Sequence, residues 1–475
     1  MTIKFGTDGW RAVISETFTF HNLRLVSQAI ADFIHEENNT NPSVIIGFDT
    51  RFLSDRYAAE VARVMAGNHI QTRLARADTP TPAISYAVSR HQATAGVMIT
   101  ASHNAPRYNG VKLKAGFGGS ANPAQHKRVE QILEHNLASA RNPNLMDLDE
   151  ALHTERVIKF DPSWGYYEHL STLVNLDTIS SGELRVVADG MYGSGRGSIG
   201  EMLARGRTYV HNIRHEMNPG FGGIHPEPIA KHLGMLISTI QSGHWDVGLA
   251  TDGDADRIGA VDAQGSFVDP HRIFSLVLRY LIEERGLHGK VVRTVSTTRI
   301  VDRIAAEHNL QIIETPVGFN HIADLMIADD VLMGGEESGG MSILGHIPEG
   351  DGVLLGLLLL EVMAAAKAPL HEIVADLLQK YGPAQYARAD MKLARPVKKA
   401  DMVKLLLDLA PAQIEGVAIE TIQTTDGVKY YLNDGSWLLI RPSGTEPVLR
   451  VYAEAPDNNR VKALLSFGKA MAEQA

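Results

Sequence analysis

Three mixed α/β sheet domains with helices on both faces, then a smaller C-terminal α+β domain, all arranged around a central cleft, is the architecture this sequence predicts. Short apolar runs alternate with helically periodic segments for most of its length, the pattern of parallel strands joined by helical crossovers. The 475 residues exceed one ordinary core, which argues for several. After Lys380-Tyr381-Gly382-Pro383 the alternation gives way to closely spaced strands between helices, as in an antiparallel unit.

In the first domain (1–150), Leu23, Val26, Ile30, Phe33 and Ile34 recur at helical spacing. A strand follows at 43–47, a helix runs from 57 to 65, and the apolar run 96–100 is a further strand, leading into a loop that ends on Lys112 and Lys114. An Asn- and Pro-rich stretch at 141–144 approaches the boundary. The second domain (151–262) carries strands at 183–188 and 246–250 with a helix over 229–240. The third (263–380) has strands at 290–296 and 331–334 with helices between and after. Its apolar run 353–360 stops at Glu361, too short for a membrane span and suited to a buried helix. The fourth (381–475) reads as a short helix, strands near 429–432, 436–440 and 449–455, and a final helix.

Composition narrows the function. The absence of cysteine removes disulfides, thiolate metal sites and a cysteine nucleophile. A formal net charge of −10 argues against nucleic acid as a partner; a small anion needs only a local basic pocket. The opening MTIKFGTDGWR lacks an apolar signal core, so a cytoplasmic enzyme without a membrane partner is expected.

Four loops carry chemistry. Thr100-Ala101-Ser102-His103-Asn104 follows a buried strand, where open α/β sheets build their sites. Read alone it is either a polar turn or a nucleophile, Ser102, with His103 or Lys112 supplying proton transfer or charge. In Thr251-Asp252-Gly253-Asp254-Ala255-Asp256-Arg257, alternating carboxylates can converge on one hard cation. An EF-hand does not fit, because Arg257 stands where its glycine should be and Ala263 where its glutamate should be. Gly334-Gly335-Glu336-Glu337-Ser338-Gly339-Gly340 is either a flexible acidic turn or a reader of sugar hydroxyls. Arg441-Pro442-Ser443-Gly444-Thr445-Glu446-Pro447, followed by Arg450, is a stiff hairpin turn or a phosphate clamp. Together they point to phosphoryl transfer on a phosphosugar.

With these motifs in this order over residues 3–470, the chain resembles the α-D-phosphohexomutase family; Phe5-Gly6-Thr7-Asp8-Gly9-Trp10-Arg11 also resembles that family's opening. The resemblance implies that Ser102 carries a phosphoryl group, with Arg11 facing it, His103 and Lys112 beside it, and Lys112 favoured for proton transfer. It implies one Mg²⁺ on Asp252, Asp254, Asp256 and phospho-Ser102, and Arg257 near the transferring group. Glu336 and Ser338 would read sugar hydroxyls, and Arg441, Ser443, Gly444, Thr445 and Arg450 would hold the other phosphate. The expected substrate is a hexose phosphate, with glucose 1,6-bisphosphate as activator and a monomer or homodimer as the assembly. The Glu-Glu-Ser form of the sugar loop resembles glucose-preferring members. Activity on mannose or glucosamine phosphates stays open, as does a metal-dependent serine phosphatase. Asn320 and Arg293 stand where that family often has lysine, and His225 is expected to be structural.

Overall fold

In the computed structural model the described residues are 3–6, 8–37, 40–392, 398–442 and 448–473. They form four sheets. The first runs Trp10–Val13, Tyr108–Ala115, Ala95–Ile99, Ser43–Phe48, Gln71–Ala75, Val157–Phe160. The last four are parallel, and the first two pair antiparallel at one edge. Helices Phe20–Glu37, Ser54–Gly67 and Thr81–Arg90 supply the crossovers.

The segment expected to be a loop ending on Lys112 and Lys114 is instead the strand Tyr108–Ala115, pairing Lys112 with Met98 and Lys114 with Gly96. Strand period two puts both lysines on one face. Lysine is depleted in strands and rarely buried unpaired, so local sequence argued against this one; distant carboxylates permit it.

The second sheet runs Phe267–Val268, Ile258–Asp262, Val247–Thr251, Arg185–Asp189, Tyr209–Ile213. The third runs Ile312–Thr315, Lys290–Thr294, Val331–Gly335, Met341–Ile343. Because Val157–Phe160 closes the first sheet and Phe267–Val268 the second, divisions at 150 and 262 fall before each sheet's last strand. The helix expected over 229–240 is a 3₁₀ turn at Ala230–His232 followed by the helix Gly234–Ser242. The apolar run 353–360 lies in the helix Gly352–Ala366, nearly all of it buried. It joins Leu249 and Ile258 of the second sheet to Leu332 and Met333 of the third in one core. Among the described residues no single helix is long and apolar enough to cross a membrane.

The fourth sheet is wholly antiparallel: Gln385–Lys392, Val448–Ala455, Trp437–Pro442, Val428–Leu432, Val417–Gln423, Gln413–Ile414. Helices Lys399–Asp408 and Asn458–Glu473 accompany it. One face packs its own core through Leu438, Ile440, Leu449 and Val451. The other turns Trp437, Leu439 and Tyr452 toward Val295 of the third unit.

Candidate active site

Three of the four predicted loops meet beyond the carboxyl ends of Ala95–Ile99, Val247–Thr251 and Val331–Gly335, where open α/β sheets form their crevices. Ser102 Oγ donates to Asp252 Oδ2 at 2.8 Å and lies 3.3 Å from His103 Nδ1. Ser102 has φ +49°, a left-handed backbone unusual outside glycine and asparagine, so the loop has to be held.

Arg51 holds it. Fully buried, it donates from Nη2 to the carbonyls of Ser102 (2.6 Å) and Asn104 (2.7 Å). Its Nη1 reaches Ala105 (2.9 Å) and Tyr108 (3.0 Å), and its Nε reaches Asp49 at 3.1 Å. One planar fork thus fixes four carbonyls. Thr100 Oγ1 donates to Asp49 and accepts from the Ser102 N–H, tying both loops together. Burial pushes the Asp49 carboxyl up to about 6 despite Arg51.

The acidic loop arrives from the second sheet. Gly253 is pressed against Ser102: a Cβ there would lie 2.4 Å from the Ser102 carbonyl oxygen. A Cβ on Gly352 would lie 2.2 Å from the Arg257 carbonyl oxygen, so the third unit seats the same loop from the other side. Asp252, Asp254 and Asp256 each bring a carboxylate oxygen within 4.8 Å of the other two. Asp254 and Asp256 both keep one buried oxygen without a hydrogen-bond partner. Clustered buried carboxylates with orphan oxygens are what a divalent cation would satisfy, so the residues present fit Mg²⁺. The exposed group Glu283, Glu307, His308 differs, because Lys380 already pairs with both glutamates.

Charges around the serine are fixed by burial and neighbours. Lys112 Nζ sits 2.6 Å from Asp256, 2.9 Å from Asp254 and 2.8 Å from Asp8. Burial alone would lower its pKa, but Asp254, Asp256 and Asp8 outweigh that and hold it well above the usual value. Burial, with Arg257 and Arg11 adding to it, drives His103 well below its ordinary range, so the imidazole is neutral. Burial, Asp256 and Asp254 push Asp252 well up, while Lys112 and Thr81 overcome burial at Asp254 and hold it low. Arg11 donates to Asn104 Oδ1 at 2.7 Å, facing the serine loop, and Arg257 lies 3.7 Å from Asp256.

The glutamate loop completes the cleft. Glu336 accepts from the Gly318 N–H at 2.8 Å, Ser338 Oγ lies 3.5 Å from Glu336, and Ser296 Oγ donates to Glu337 at 2.7 Å. Burial, then Glu337, raises the Glu336 carboxyl to about 7.

Of the fourth loop, Ser443, Gly444 and Thr445 lie outside the described residues. Arg441 and Arg450 stand directly opposite on neighbouring strands. On its other side Arg450 has Asp390 directly opposite. Arg441 is held by Asp426, and its electrostatic link to the other loops runs to Glu337.

Arg293 is engaged by Asp302 and Glu314 and donates to no residue of the three loops. Asn320 is buried with neither amide atom hydrogen-bonded. His225 stacks on His232. Sequence reasoning missed Asp49, Arg51 and Thr81, and gave Asp8 no role. Asp49-Thr50-Arg51 had a signal, since it follows a buried strand as the serine loop does; Thr81, which donates to Asp254 at 2.7 Å, had none.

Family models match the whole order of units: phosphoglucomutase/phosphomannomutase alpha/beta/alpha domain I over 2–139, domain II over 165–265, domain III over 269–381 and the C-terminal domain over 391–467. A relative from Pyrococcus furiosus named "Probable phosphoglucosamine mutase" is 30% identical over 99% of this chain and 98% of its own. One from Thermococcus kodakarensis named "Phosphoglucomutase/phosphomannomutase" is 27% identical over the same shares. A solved structure from Thermus thermophilus, under a provisional phosphomannomutase name, is 32% identical with a TM-score of 0.86, covering 100% of this chain and 99% of that one.

Proposed function

The chain belongs to the phosphoglucomutase/phosphomannomutase family of phosphohexomutases, and on that premise we propose that it interconverts glucose 1-phosphate and glucose 6-phosphate through phospho-Ser102. The observation that carries this reading is Ser102 Oγ at 2.8 Å from Asp252, one of three clustered carboxylates, and beside His103, on which Arg257, Arg11 and Lys112 all act electrostatically.

In the forward half-reaction the Ser102 Oγ–P bond breaks and a new P–O bond forms to a sugar hydroxyl, giving glucose 1,6-bisphosphate. The bisphosphate turns round in the cleft and returns its other phosphate to Ser102, so free bisphosphate also acts as activator. Asp252, Asp254 and Asp256, with a phosphate oxygen of phospho-Ser102, would hold Mg²⁺. Bound there, the ion would neutralise charge on the transferring phosphoryl. Arg257 and Arg11 add positive charge at the same place. His103, 3.3 Å from Ser102 Oγ, and Lys112 are the groups offered for proton transfer, and Lys112, kept charged by Asp254, Asp256 and Asp8, adds fixed positive charge at the transferring phosphoryl. Glu336 and Ser338 orient the sugar, while Arg441, Arg450 and the 443–445 segment hold the phosphate that does not react.

Glucose is favoured by the Glu336-Glu337-Ser338 form of the sugar loop. A second reading, an amino sugar phosphate, is favoured by the name of the Pyrococcus furiosus relative. A coupled assay with Mg²⁺ and trace glucose 1,6-bisphosphate decides, with mannose 1-phosphate and glucosamine 1-phosphate as competitors and Ser102→Ala alongside. Turnover of glucose 1-phosphate that outpaces both competitors and disappears in the variant is expected. Faster turnover of glucosamine 1-phosphate promotes the second reading, and release of free phosphate without isomerisation sinks both.

A further inference from the structure

Behind Lys112 lies a second buried cation that the proposed reaction does not use. Lys114 shares a strand face with Lys112 and is 0% exposed. Its Nζ donates to Glu349 Oε2 at 2.6 Å and to Ser120 Oγ at 3.1 Å. The Ser120 hydroxyl donates onward to Asp8 Oδ1 at 2.8 Å, and the other oxygen of Asp8 lies 2.8 Å from Lys112 Nζ. Glu349 belongs to the third unit, just before the helix Gly352–Ala366, and also accepts from Ser85 Oγ at 3.4 Å. Glu349, Lys114, Ser120, Asp8 and Lys112 are therefore one continuous chain of contacts, running from the third unit into the first.

Asp8 is the shared member. It pairs directly with Lys112 and, through one hydroxyl, with Lys114. A buried ammonium needs a carboxylate close by. While Glu349 satisfies Lys114, Asp8 is left to Lys112. Without that carboxylate, the nearest anion for Lys114 on this path is Asp8, and the hydroxyl already joining them shows the direction in which it would be drawn. Lys112 would then lose one of the three carboxylates that aim its ammonium.

We propose that Glu349 is a positioning residue for the Lys112 ammonium: by pairing with Lys114 it reserves Asp8 for Lys112. The proposal rests on the role given to Lys112 above. It assigns work to a carboxylate whose hydrogen bonds run to Lys114 and Ser85, and it makes Lys112 dependent on the seating of the third unit against the first.

The consequence is a charge-repair pattern. Removing Glu349 alone is harmful because it strands Lys114; removing both members removes the competitor for Asp8. Steady-state kcat and KM for glucose 1-phosphate are measured for Glu349→Gln, Lys114→Met, the double variant and Ser120→Ala, with Ser102 phosphorylation and melting temperature recorded for each. Wild-type turnover comes first: if wild type isomerises no sugar phosphate, the functional reading has failed and not this one. Glu349→Gln is expected to lose about tenfold in kcat, part of what a misplaced charge at the reacting group costs, with KM within about twofold. The double variant is expected to recover to within about threefold of wild type. Ser120→Ala, which buries no new charge but removes the hydroxyl that anchors Asp8 Oδ1 beside Lys112, is expected to lower kcat severalfold at constant KM.

A merely structural pair gives another pattern, in which the double variant is no faster than Glu349→Gln and losses follow melting temperature. That pattern, or a Glu349→Gln enzyme within about twofold of wild type, overturns the proposal. If Glu349→Gln does not fold, Ser120→Ala decides, and unchanged kcat there overturns it equally.

Discussion

Gly253→Ala tests whether the acidic loop and the serine loop are held at a fixed separation. Gly253 does not have positive φ, so alanine is conformationally allowed and the whole effect is steric. The added Cβ would lie 2.4 Å from the Ser102 carbonyl oxygen and 3.0 Å from Pro226 Cγ, so the loops must part by about 1 Å to reach ordinary contact near 3.4 Å. Neither side can yield freely. Arg51 grips the Ser102 carbonyl at 2.6 Å; the Gly253 N–H donates to the Pro226 carbonyl at 3.1 Å and its carbonyl accepts from Ser194 at 3.0 Å. A displacement of that size moves Ser102 Oγ relative to Asp252, and about 1 Å of misplacement costs on the order of 10²-fold in rate. The expected result in the coupled assay is a kcat lower by about that factor, with KM nearly unchanged because the sugar and distal-phosphate loops are untouched. Gly234→Ala is the control: it lies in the helix Gly234–Ser242 with nothing within 4 Å of an added Cβ, and should be neutral or stabilising by up to ~1 kcal/mol. A Gly253→Ala enzyme within about threefold of wild type would refute the claim that this separation is fixed.

Arg51→Lys keeps the charge but cannot reproduce a fork spanning four carbonyls. Charge-assisted hydrogen bonds contribute ~1.5–3 kcal/mol each, so a lower melting temperature and a loss of Ser102 phosphorylation on incubation with glucose 1,6-bisphosphate are expected. Full phosphorylation would show that the φ +49° turn at Ser102 needs no clamp. Glu336, with its carboxyl raised to about 7 by burial and Glu337, offers both oxygens as acceptors to sugar hydroxyls only when ionised. As pH falls through about 7 it takes up a proton, so kcat/KM for glucose 1-phosphate should fall on the acid side. The substrate phosphate titrates at ~6 and contributes to the same limb, so the comparison is with Glu336→Gln: lower activity throughout, with the limb near 7 gone. Identical pH profiles would remove Glu336 from the sugar site.

The first three sheets were legible because their central strands are buried on both faces and read as unbroken apolar runs, as in Val97-Met98-Ile99 or Leu249-Ala250. What escaped was strand built from polar residues. Tyr108–Ala115 contains Asn109, Lys112 and Lys114, all buried, and its pairing depends on carboxylates from positions 8, 254, 256 and 349. Val417–Gln423 was missed for another reason: most of its side chains face solvent, so no apolar run marks it. Divisions between units were blurred where one helix serves two sheets, as Gly352–Ala366 does.

The site itself divides along the same line. Ser102, Asp252, Asp254, Asp256 and Glu336 were readable because each loop places its chemistry within a few residues of a strand end, a local signal. Arg51 and Thr81 act on those residues from afar, and only folding brings them near. Even Lys112, singled out from sequence as a loop lysine, owes its charge state to where the chain puts it. On an exposed loop it would be an ordinary ammonium with freedom to reorient; on a buried strand, three carboxylates within 3 Å leave it one position and one charge. Local sequence can therefore nominate a candidate phosphoryl carrier. What aims the cations around it is a property of strand register and interdomain packing, and is readable only once the sheets are assembled.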